Sequence, residues 1–141
     1  MRILGIDYGT KRVGIAVSDE SEFLASPRET LLRSKSLDAD LARLKTLIDE
    51  EGIALVVVGL PINMDGTHGP MAEEAEAFAS KLQDVSGLQV EFYDERLTSA
   101  EAERVLIEAD VSRSKRKDLR DSLAATLILQ GFLDRRRYSD E

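Results

Sequence analysis

The first third of the chain alternates apolar residues with polar or small ones, as β-strands do. The segment RILGIDY is typical of a buried strand, and RVGIAVSD places a β-branched apolar residue at every second position. These two segments predict an antiparallel hairpin that turns at Gly9. We expect a third strand within residues 24–33, at a sheet edge or a bulge, because Pro27 lacks the backbone donor that a central strand needs.

After this strand the apolar spacing becomes helical. Ser36 is placed to cap the start of an amphipathic helix, and Gly52 follows its end. The segment IALVVVGL is a continuous apolar run, typical of a parallel strand that is covered on both faces. Pro70 predicts the first turn of a second helix, whose apolar face ends before Gly87.

The rest of the chain predicts one more strand and two more helices. LQVEFYD is typical of a fifth strand, and TSAEAERVLIEA (residues 98–109) opens with the Thr and Glu spacing of a capping box. The basic stretch at residues 113–117 interrupts the apolar pattern, which resumes in a last helix over residues 118–137. Because helices alternate with strands after the hairpin, the sequence predicts an α/β fold, a mixed five-stranded sheet with helices on both faces.

Length and composition limit the kinds of protein that this chain can be. With 141 residues the chain is long enough for one hydrophobic core, so we interpret residues 1–141 as a single domain. The absence of cysteine excludes disulfides and thiolate metal sites. No signal segment opens the chain and no apolar run approaches the roughly 18 residues of a membrane span, so we expect a cytoplasmic protein that is not bound to a membrane.

Charge is unevenly distributed along the chain. Residues 1–112 carry 11 Lys and Arg against 22 Asp and Glu, a net charge of −11, whereas residues 113–141 carry 8 against 5, a net charge of +3. The overall charge of −8 argues against general binding to nucleic acid. The basic residues near the C-terminus are either a solvated face or a local contact for a polyanion.

Acidic residues stand at positions that the predicted fold could bring together. In open α/β sheets, ligands bind beyond the carboxyl ends of the strands. Asp7 ends the first strand, and Asp94 and Glu95 end the fifth. Asp121 lies one helical turn before Ala125, on a face of the last helix that we expect to be buried.

Each acid also has a purely structural interpretation. Asp7 could accept backbone hydrogen bonds in the turn after it, Asp94 or Glu95 could lie at the positive end of a helix dipole, and Asp121 could pair with a neighbouring cation. Acids brought together without a cation repel each other, which raises their pKa values, and a divalent ion relieves that repulsion. All-oxygen ligands favour Mg²⁺ or Mn²⁺, and two such ions about 3.5–4 Å apart are the apparatus of phosphodiester cleavage.

Four blocks of the sequence resemble, in the same order, those of the YqgF family, also called RuvX, of ribonuclease H-like proteins. Members are described as Holliday junction resolvases and as nucleases that mature the 5′ end of pre-16S ribosomal RNA. The resemblance implies a ribonuclease H-like fold and a metal-dependent nuclease that acts on RNA or DNA, in ribosome biogenesis or in junction cleavage. The blocks cover nearly the whole chain and are GIDYGTKRVGIAVSD, VVVGLPINMDGTHGP, DERLTSAEAE and SRSKRKDLRDSLAATLILQGFL.

The resemblance also implies roles for particular acids. It assigns Asp7, Glu95 and Asp121 as the catalytic residues and as the ligands of the divalent ions, which are expected to be two Mg²⁺ or Mn²⁺. Asp94 lies beside the matched acid and is expected to be a supporting residue.

Substrate contacts are expected on a loop and on three groups of cations. The loop residues Asn63, Asp65 and Thr67 are similar to a family segment that flanks the active site, although a polar turn after a strand needs no such role. Cations near the acids would neutralise backbone phosphates. They are Lys11, Arg12, Arg96, Arg113, Lys115, Arg116 and Lys117.

Two other functions fit parts of the sequence. DYGT is also similar to the phosphate-binding turn of ATP-binding proteins of the actin and sugar-kinase type, but such a site needs a second lobe to close over the nucleotide. A non-catalytic RNA-binding module, associated with ribosomes or transcription, would use the C-terminal cations alone. Both a monomer and a homodimer are compatible with the sequence, and a resolvase that cuts two symmetric strands requires the dimer.

Overall fold

The computed structural model of the protein describes the backbone of residues 1–97 and 113–139 and the side chains of residues 1–96 and 123–137. Five strands form one mixed sheet in the order β3-β2-β1-β4-β5. The strands are β1 (Arg2–Tyr8), β2 (Arg12–Ser18), β3 (Ala25–Leu32), β4 (Ile53–Leu60) and β5 (Val90–Asp94). The helices of the described ranges are α1 (Leu37–Glu51), α2 (Pro70–Ser86) and α3 (Arg113–Ser139), and a 3₁₀ turn (Glu95–Leu97) follows β5.

β1 is the central strand, and it has an antiparallel neighbour on one side and a parallel one on the other. It pairs antiparallel with β2 and parallel with β4, and β4 pairs parallel with β5. The predicted hairpin is confirmed, and the Gly9 N–H closes its turn by donating to the Arg12 carbonyl at 2.9 Å. β3 is an edge strand, as Pro27 predicts. The carboxyl ends of β1, β4 and β5 therefore lie together at one end of the sheet.

The predicted ends of the first two helices are confirmed. Ser36 accepts a hydrogen bond from the Ala39 N–H at 3.2 Å, and α2 begins at Pro70. Each helix is followed by a glycine in the left-handed conformation, with φ of 67° at Gly52 and 73° at Gly87.

Helices cover both faces of the sheet, as the sequence predicts. α1 and α2 pack on one face and α3 on the other. Residues of β1 alternate between the two layers, because Ile3 packs with α3 whereas Leu4 and Ile6 pack with α1 and α2. By the same two-residue period, Gly5 and Asp7 lie on the α3 side.

The last helix begins earlier than expected. Residues 113–117 do not interrupt α3 but form its first turns, so the helix runs over Arg113–Ser139. The apolar pattern stops at this stretch because no apolar residue falls there, but Arg and Lys are good helix formers and neither Gly nor Pro is present to end the helix. The helix predicted over residues 98–109 lies outside the described residues.

Within residues 1–97 and 113–139, no helix has the length and apolar character that crossing a membrane requires.

Candidate active site

Asp7 and Glu95 meet at the end of the sheet where β1, β4 and β5 terminate. Asp7 is the penultimate residue of β1 and faces the α3 layer, and Glu95 opens the 3₁₀ turn directly after β5. A hydrogen bond joins their side chains. Two of the three acids assigned to the site are therefore in contact.

This contact changes the protonation of Glu95. Burial, the hydrogen bond to Asp7 and the negative charges of Asp7 and Asp94 raise the pKa of Glu95 to about 9. At neutral pH the Glu95 carboxyl is therefore protonated, and its O–H donates a hydrogen bond to the Asp7 side chain. Glu95 is thus protonated at a place where a bound cation would favour its ionised carboxylate.

Gly59, near the end of β4, forms the floor beneath Glu95. A Cβ at this position would lie 2.8 Å from Glu95 Cγ, 2.9 Å from Glu95 Oε1 and 2.5 Å from Ile128 Cδ1 of α3. Gly5 of β1 is covered in a similar way, since its Cβ would lie 2.7 Å from Leu129 Cβ. The two glycines allow α3 and Glu95 to lie directly on the strand backbones.

The third acid, Asp121, belongs to the part of α3 whose side chains are not described, but its backbone position can be stated. The C-terminal part of α3 lies beside the start of β1, because Arg136 pairs with Glu22 at 3.3 Å and Glu22 pairs with the Met1 ammonium at 3.4 Å. Ala125, one turn after Asp121, has its carbonyl against the middle of β1. α3 thus runs antiparallel to β1, and the backbone of Asp121 lies toward the carboxyl end of that strand.

The helix face predicted to be buried is buried where side chains are described. Ala125 and Ile128 are fully buried, and Ala124 and Phe132 are at most 8% exposed. Asp121 precedes these residues with the same helical period.

The Asp94 carboxylate binds Arg96, whereas the Glu95 carboxyl binds Asp7. Its Oδ2 accepts from Arg96 Nη2 at 2.6 Å, and its Oδ1 accepts from the Arg96 backbone N–H at 2.9 Å. The hydrogen bonds and charge of Arg96 keep the pKa of Asp94 below its usual value. Arg96, which the sequence predicts to contact phosphate, is thus largely compensated by its own neighbour.

The remaining predicted phosphate contacts lie on two elements. Lys11 and Arg12 lie in and just after the β1–β2 turn, at the same end of the sheet as the two acids. Arg33 holds this turn, because its Nη1 donates to the carbonyls of Gly9 at 2.9 Å and Thr10 at 3.1 Å. The first turns of α3 contain the others, whose side chains lie outside the described residues: Arg113, Lys115, Arg116 and Lys117.

The loop after β4 uses its polar side chains internally. Asp65 accepts from the Thr67 N–H at 2.9 Å and from the Thr67 hydroxyl at 2.6 Å. Asn63 Nδ2 donates to Thr67 Oγ1 at 3.1 Å. These hydrogen bonds account for the three residues as loop structure, which is the alternative that their sequence also allows.

Gly59 and Arg33 lie at the candidate site, although the sequence analysis above does not name them. A glycine inside a buried strand often marks a close approach of another element, so the position of Gly59 in its strand could have predicted this contact. The role of Arg33 could not be predicted, since it reaches a carbonyl 24 residues away and no local pattern indicates such a contact.

Comparisons with known proteins match nearly the full chain to relatives of one family. A family model described as "RuvX: Holliday junction resolvase" matches residues 1–135. Curated relatives bear the name "Putative pre-16S rRNA nuclease". The relative from Moorella thermoacetica is 53% identical over 135 residues, 96% of each chain. The relative from Geobacillus kaustophilus is 50% identical over 138 residues, 97% of this chain and 100% of the relative.

Solved structures of RuvC share the fold. The chain titled "T. thermophilus RuvC in complex with Holliday junction substrate" aligns with a TM-score of 0.60 at 16% identity and covers 97% of this chain and 96% of its own. A second structure of Thermus thermophilus RuvC gives a TM-score of 0.58 at 15% identity, with 98% of this chain and 97% of its own covered. The likeness confirms the expected ribonuclease H-like fold.

Proposed function

The chain belongs to the RuvX family, and from that premise we propose that it is a divalent-metal-dependent nuclease that hydrolyses phosphodiester bonds in nucleic acid. The observation that carries the proposal is the contact between the Asp7 and Glu95 carboxyl groups at the carboxyl ends of three parallel strands. The names of the relatives favour a nuclease over an ATP-binding protein or a non-catalytic RNA-binding module.

The donor set fits Mg²⁺ or Mn²⁺. Asp7 and Glu95 offer hard carboxylate oxygens, and the proton on Glu95 is one that a divalent ion would displace. Among the described side chains, no group of three acids or histidines forms a metal site by itself. The proposal therefore takes Asp121 as the third ligand.

The proposed mechanism assigns a separate task to each part of the chain. Two divalent ions held by Asp7, Glu95 and Asp121 would activate water and stabilise the leaving oxygen. Glu95 would release its proton to solvent on becoming a ligand, so metal binding should strengthen as pH rises. Lys11, Arg12 and the basic first turns of α3 would contact the backbone phosphates of the substrate.

The names of the relatives favour an RNA substrate, the 16S ribosomal RNA precursor. The family resemblance implies that cleavage is at its 5′ end, and both favour a cytoplasmic role in ribosome biogenesis. The family description favours a four-way DNA junction instead. Cutting two symmetric strands of a junction requires a two-fold dimer, whereas trimming one RNA strand requires only a monomer.

Cleavage of a substrate panel tests the proposal. The panel contains a four-way DNA junction, single-stranded DNA and RNA with a structured 5′ extension, each with Mg²⁺, with Mn²⁺ and with a chelator. We expect metal-dependent cleavage of the extended RNA. Salt-dependent RNA binding without cleavage would favour the binding module, and ATP hydrolysis without cleavage would favour the ATP-binding protein.

The basic first turns of α3 should determine how binding depends on salt. Replacing Arg113, Lys115, Arg116 and Lys117 by Ala should weaken binding to any sequence, and each lost phosphate contact should remove about 0.7–0.9 from the slope of log K against log salt. Metal affinity should be nearly unchanged, because the acids stay in place. Binding titrations at several salt concentrations check this result, and a Lys45→Ala, Lys81→Ala variant is the control. Unchanged affinity and slope in the quadruple variant would mean that this stretch is only a solvated face.

The stability of the metal-free protein should fall as pH rises from about 5 to about 9. The pKa of Glu95 in the folded protein, about 9, lies above the 4.5 of an unperturbed glutamate, so the folded state binds the extra proton in this interval. The contribution of this proton to the free energy of unfolding is fully present below pH 4.5 and is lost as pH approaches 9. Its size is on the order of a few kcal/mol, measurable by urea unfolding in a chelator.

The matched control for this pH effect is Glu95→Gln, which cannot ionise. Its free energy of unfolding should change much less over the same interval, and added Mn²⁺ should stabilise the parent protein but not the variant. Parallel pH profiles for the two proteins would contradict the raised pKa of Glu95.

A further inference from the structure

Two cations lie at the β1–β2 turn, Lys11 within it and Arg33 beside it. Arg33 follows β3, and its backbone N–H donates to the Lys11 carbonyl at 2.9 Å. Its Nη1 donates to the carbonyls of Gly9 and Thr10. These three hydrogen bonds fasten the turn to the segment at residues 33–36, which connects β3 to α1.

Stacking also fixes the position of the Arg33 side chain. Its guanidinium lies 4.4 Å from the centre of the Tyr8 ring, and Tyr8 stacks on Phe78 of α2 with 4.0 Å between ring centres. Tyr8 directly follows Asp7 in β1. The Arg33 guanidinium therefore contacts the strand residue that directly follows the candidate ligand Asp7.

A buried carboxylate holds the segment at residues 33–36. Asp40 is 2% exposed, accepts from the Ser34 N–H at 3.1 Å and pairs with Arg43 at 2.6 Å. Its charge is therefore balanced within α1. Lys35 is exposed, and its ammonium group has no hydrogen-bond or ion-pair partner in the part of the chain whose side chains are described.

We propose that Lys35, positioned by Arg33, extends the phosphate contact already assigned to Lys11 into a second phosphate-binding surface for the substrate strand. The inference rests on the proposed function, because a strand bound at Asp7 would pass the β1–β2 turn as it leaves the acids. Arg33 stacks on Tyr8 in the layer of α1 and α2, whereas α3 covers the other face of the sheet, so the surface and the basic first turns of α3 would approach the strand from opposite faces.

The ligand class is the sugar–phosphate backbone of single-stranded nucleic acid. Ammonium groups contact phosphates as point charges and do not discriminate among bases, so the surface should be insensitive to sequence. Its contribution to binding affinity should instead appear only with nucleic-acid strands that are long enough to reach it.

Comparing Lys35→Glu with Lys81→Glu tests this surface. Lys81 is exposed in the C-terminal half of α2, so both variants change the net charge equally. Fluorescence anisotropy with single-stranded RNA of increasing length, in a chelator, measures binding without cleavage. For long RNA we expect Lys35→Glu to lose about tenfold in affinity and at least about 0.7 in salt slope. Short RNA should bind equally well to both variants, and Lys81→Glu should match the parent.

Arg33→Lys tests the positioning role at constant charge. A lysine cannot stack on Tyr8 and bridge two carbonyls at once, so we expect this variant to lose most of the affinity gained with length. If Lys35→Glu binds long RNA as tightly as Lys81→Glu, the surface is overturned, and if Arg33→Lys binds like the parent, its positioning role is overturned.

Hydrolysis of a small phosphodiester, bis(p-nitrophenyl) phosphate with Mn²⁺, separates this proposal from the proposed function. Lys35→Glu should hydrolyse it at the parent rate, because the small diester does not reach Lys35. A parent protein that cleaves neither this diester nor nucleic acid would refute the proposed function. The comparison of RNA binding by Lys35→Glu and Lys81→Glu would still test whether the phosphate-binding surface exists. A reduced rate in Lys35→Glu would contradict the separation of the surface from the acids.

Discussion

Asp7→Asn should abolish divalent-dependent cleavage and leave the fold intact. The substitution keeps the shape of the side chain and its ability to accept the Glu95 proton, but it removes the charge that a divalent ion requires. We expect the cleavage rate to fall by more than about a thousandfold, which corresponds to about 4 kcal/mol in the activation barrier. Single-turnover cleavage with Mn²⁺ gives the rate, and urea unfolding in a chelator checks the fold.

Asp94→Asn is the matched control for this experiment. Asp94 is a strand-end acid adjacent to Glu95, but its carboxylate is bound by Arg96. We expect it to lose less than about tenfold in rate, the lower end of what residues around metal ligands contribute. Full activity in Asp7→Asn would exclude the proposed mechanism, and equal losses in both variants would mean that general negative charge, rather than Asp7 itself, is required.

Much of the fold could be predicted because its signals are local. The β1–β2 hairpin follows from alternation and a glycine turn, and α1 follows from a serine cap, helical spacing and Gly52 in the left-handed conformation. The start of α3 could not be predicted in this way. At residues 113–117 the apolar pattern is absent although helix propensity is high, and only the three-dimensional structure shows which of the two prevails.

The candidate site was predictable as a location but not as a set of contacts. Strand ends indicate both Asp94 and Glu95, and only the family resemblance selects Glu95. Two adjacent acids cannot be ranked by pattern, because their partners are decided by how the chain turns after β5. In the structure Asp94 turns back to Arg96, whereas Glu95 extends over Gly59 to Asp7.

Gly59→Ala should damage the site without changing any polar atom. The added methyl group would lie within 2.9 Å of both Glu95 Oε1 and Ile128 Cδ1, so both side chains must move. Overpacking of this kind destabilises by about 1–3 kcal/mol. A displacement of Glu95 by about 1 Å should lower the cleavage rate about a hundredfold. Urea unfolding and single-turnover cleavage with saturating Mn²⁺ measure the two effects separately.

A second substitution can separate these two consequences of Gly59→Ala. Ile128→Val removes the Cδ1 atom that the new methyl group would meet at 2.5 Å, so the double variant should regain part of the lost stability. It should not regain activity, because the contact with Glu95 is unchanged. Gly131→Ala is the control for a strained α3, since its Cβ would lie 2.5 Å from Tyr93 Oη and not against Glu95. It should lose stability and keep the cleavage rate of the parent within about threefold, less than 1 kcal/mol in the barrier. Recovery of both stability and activity in the double variant would show that Gly59 serves helix packing alone and does not position Glu95.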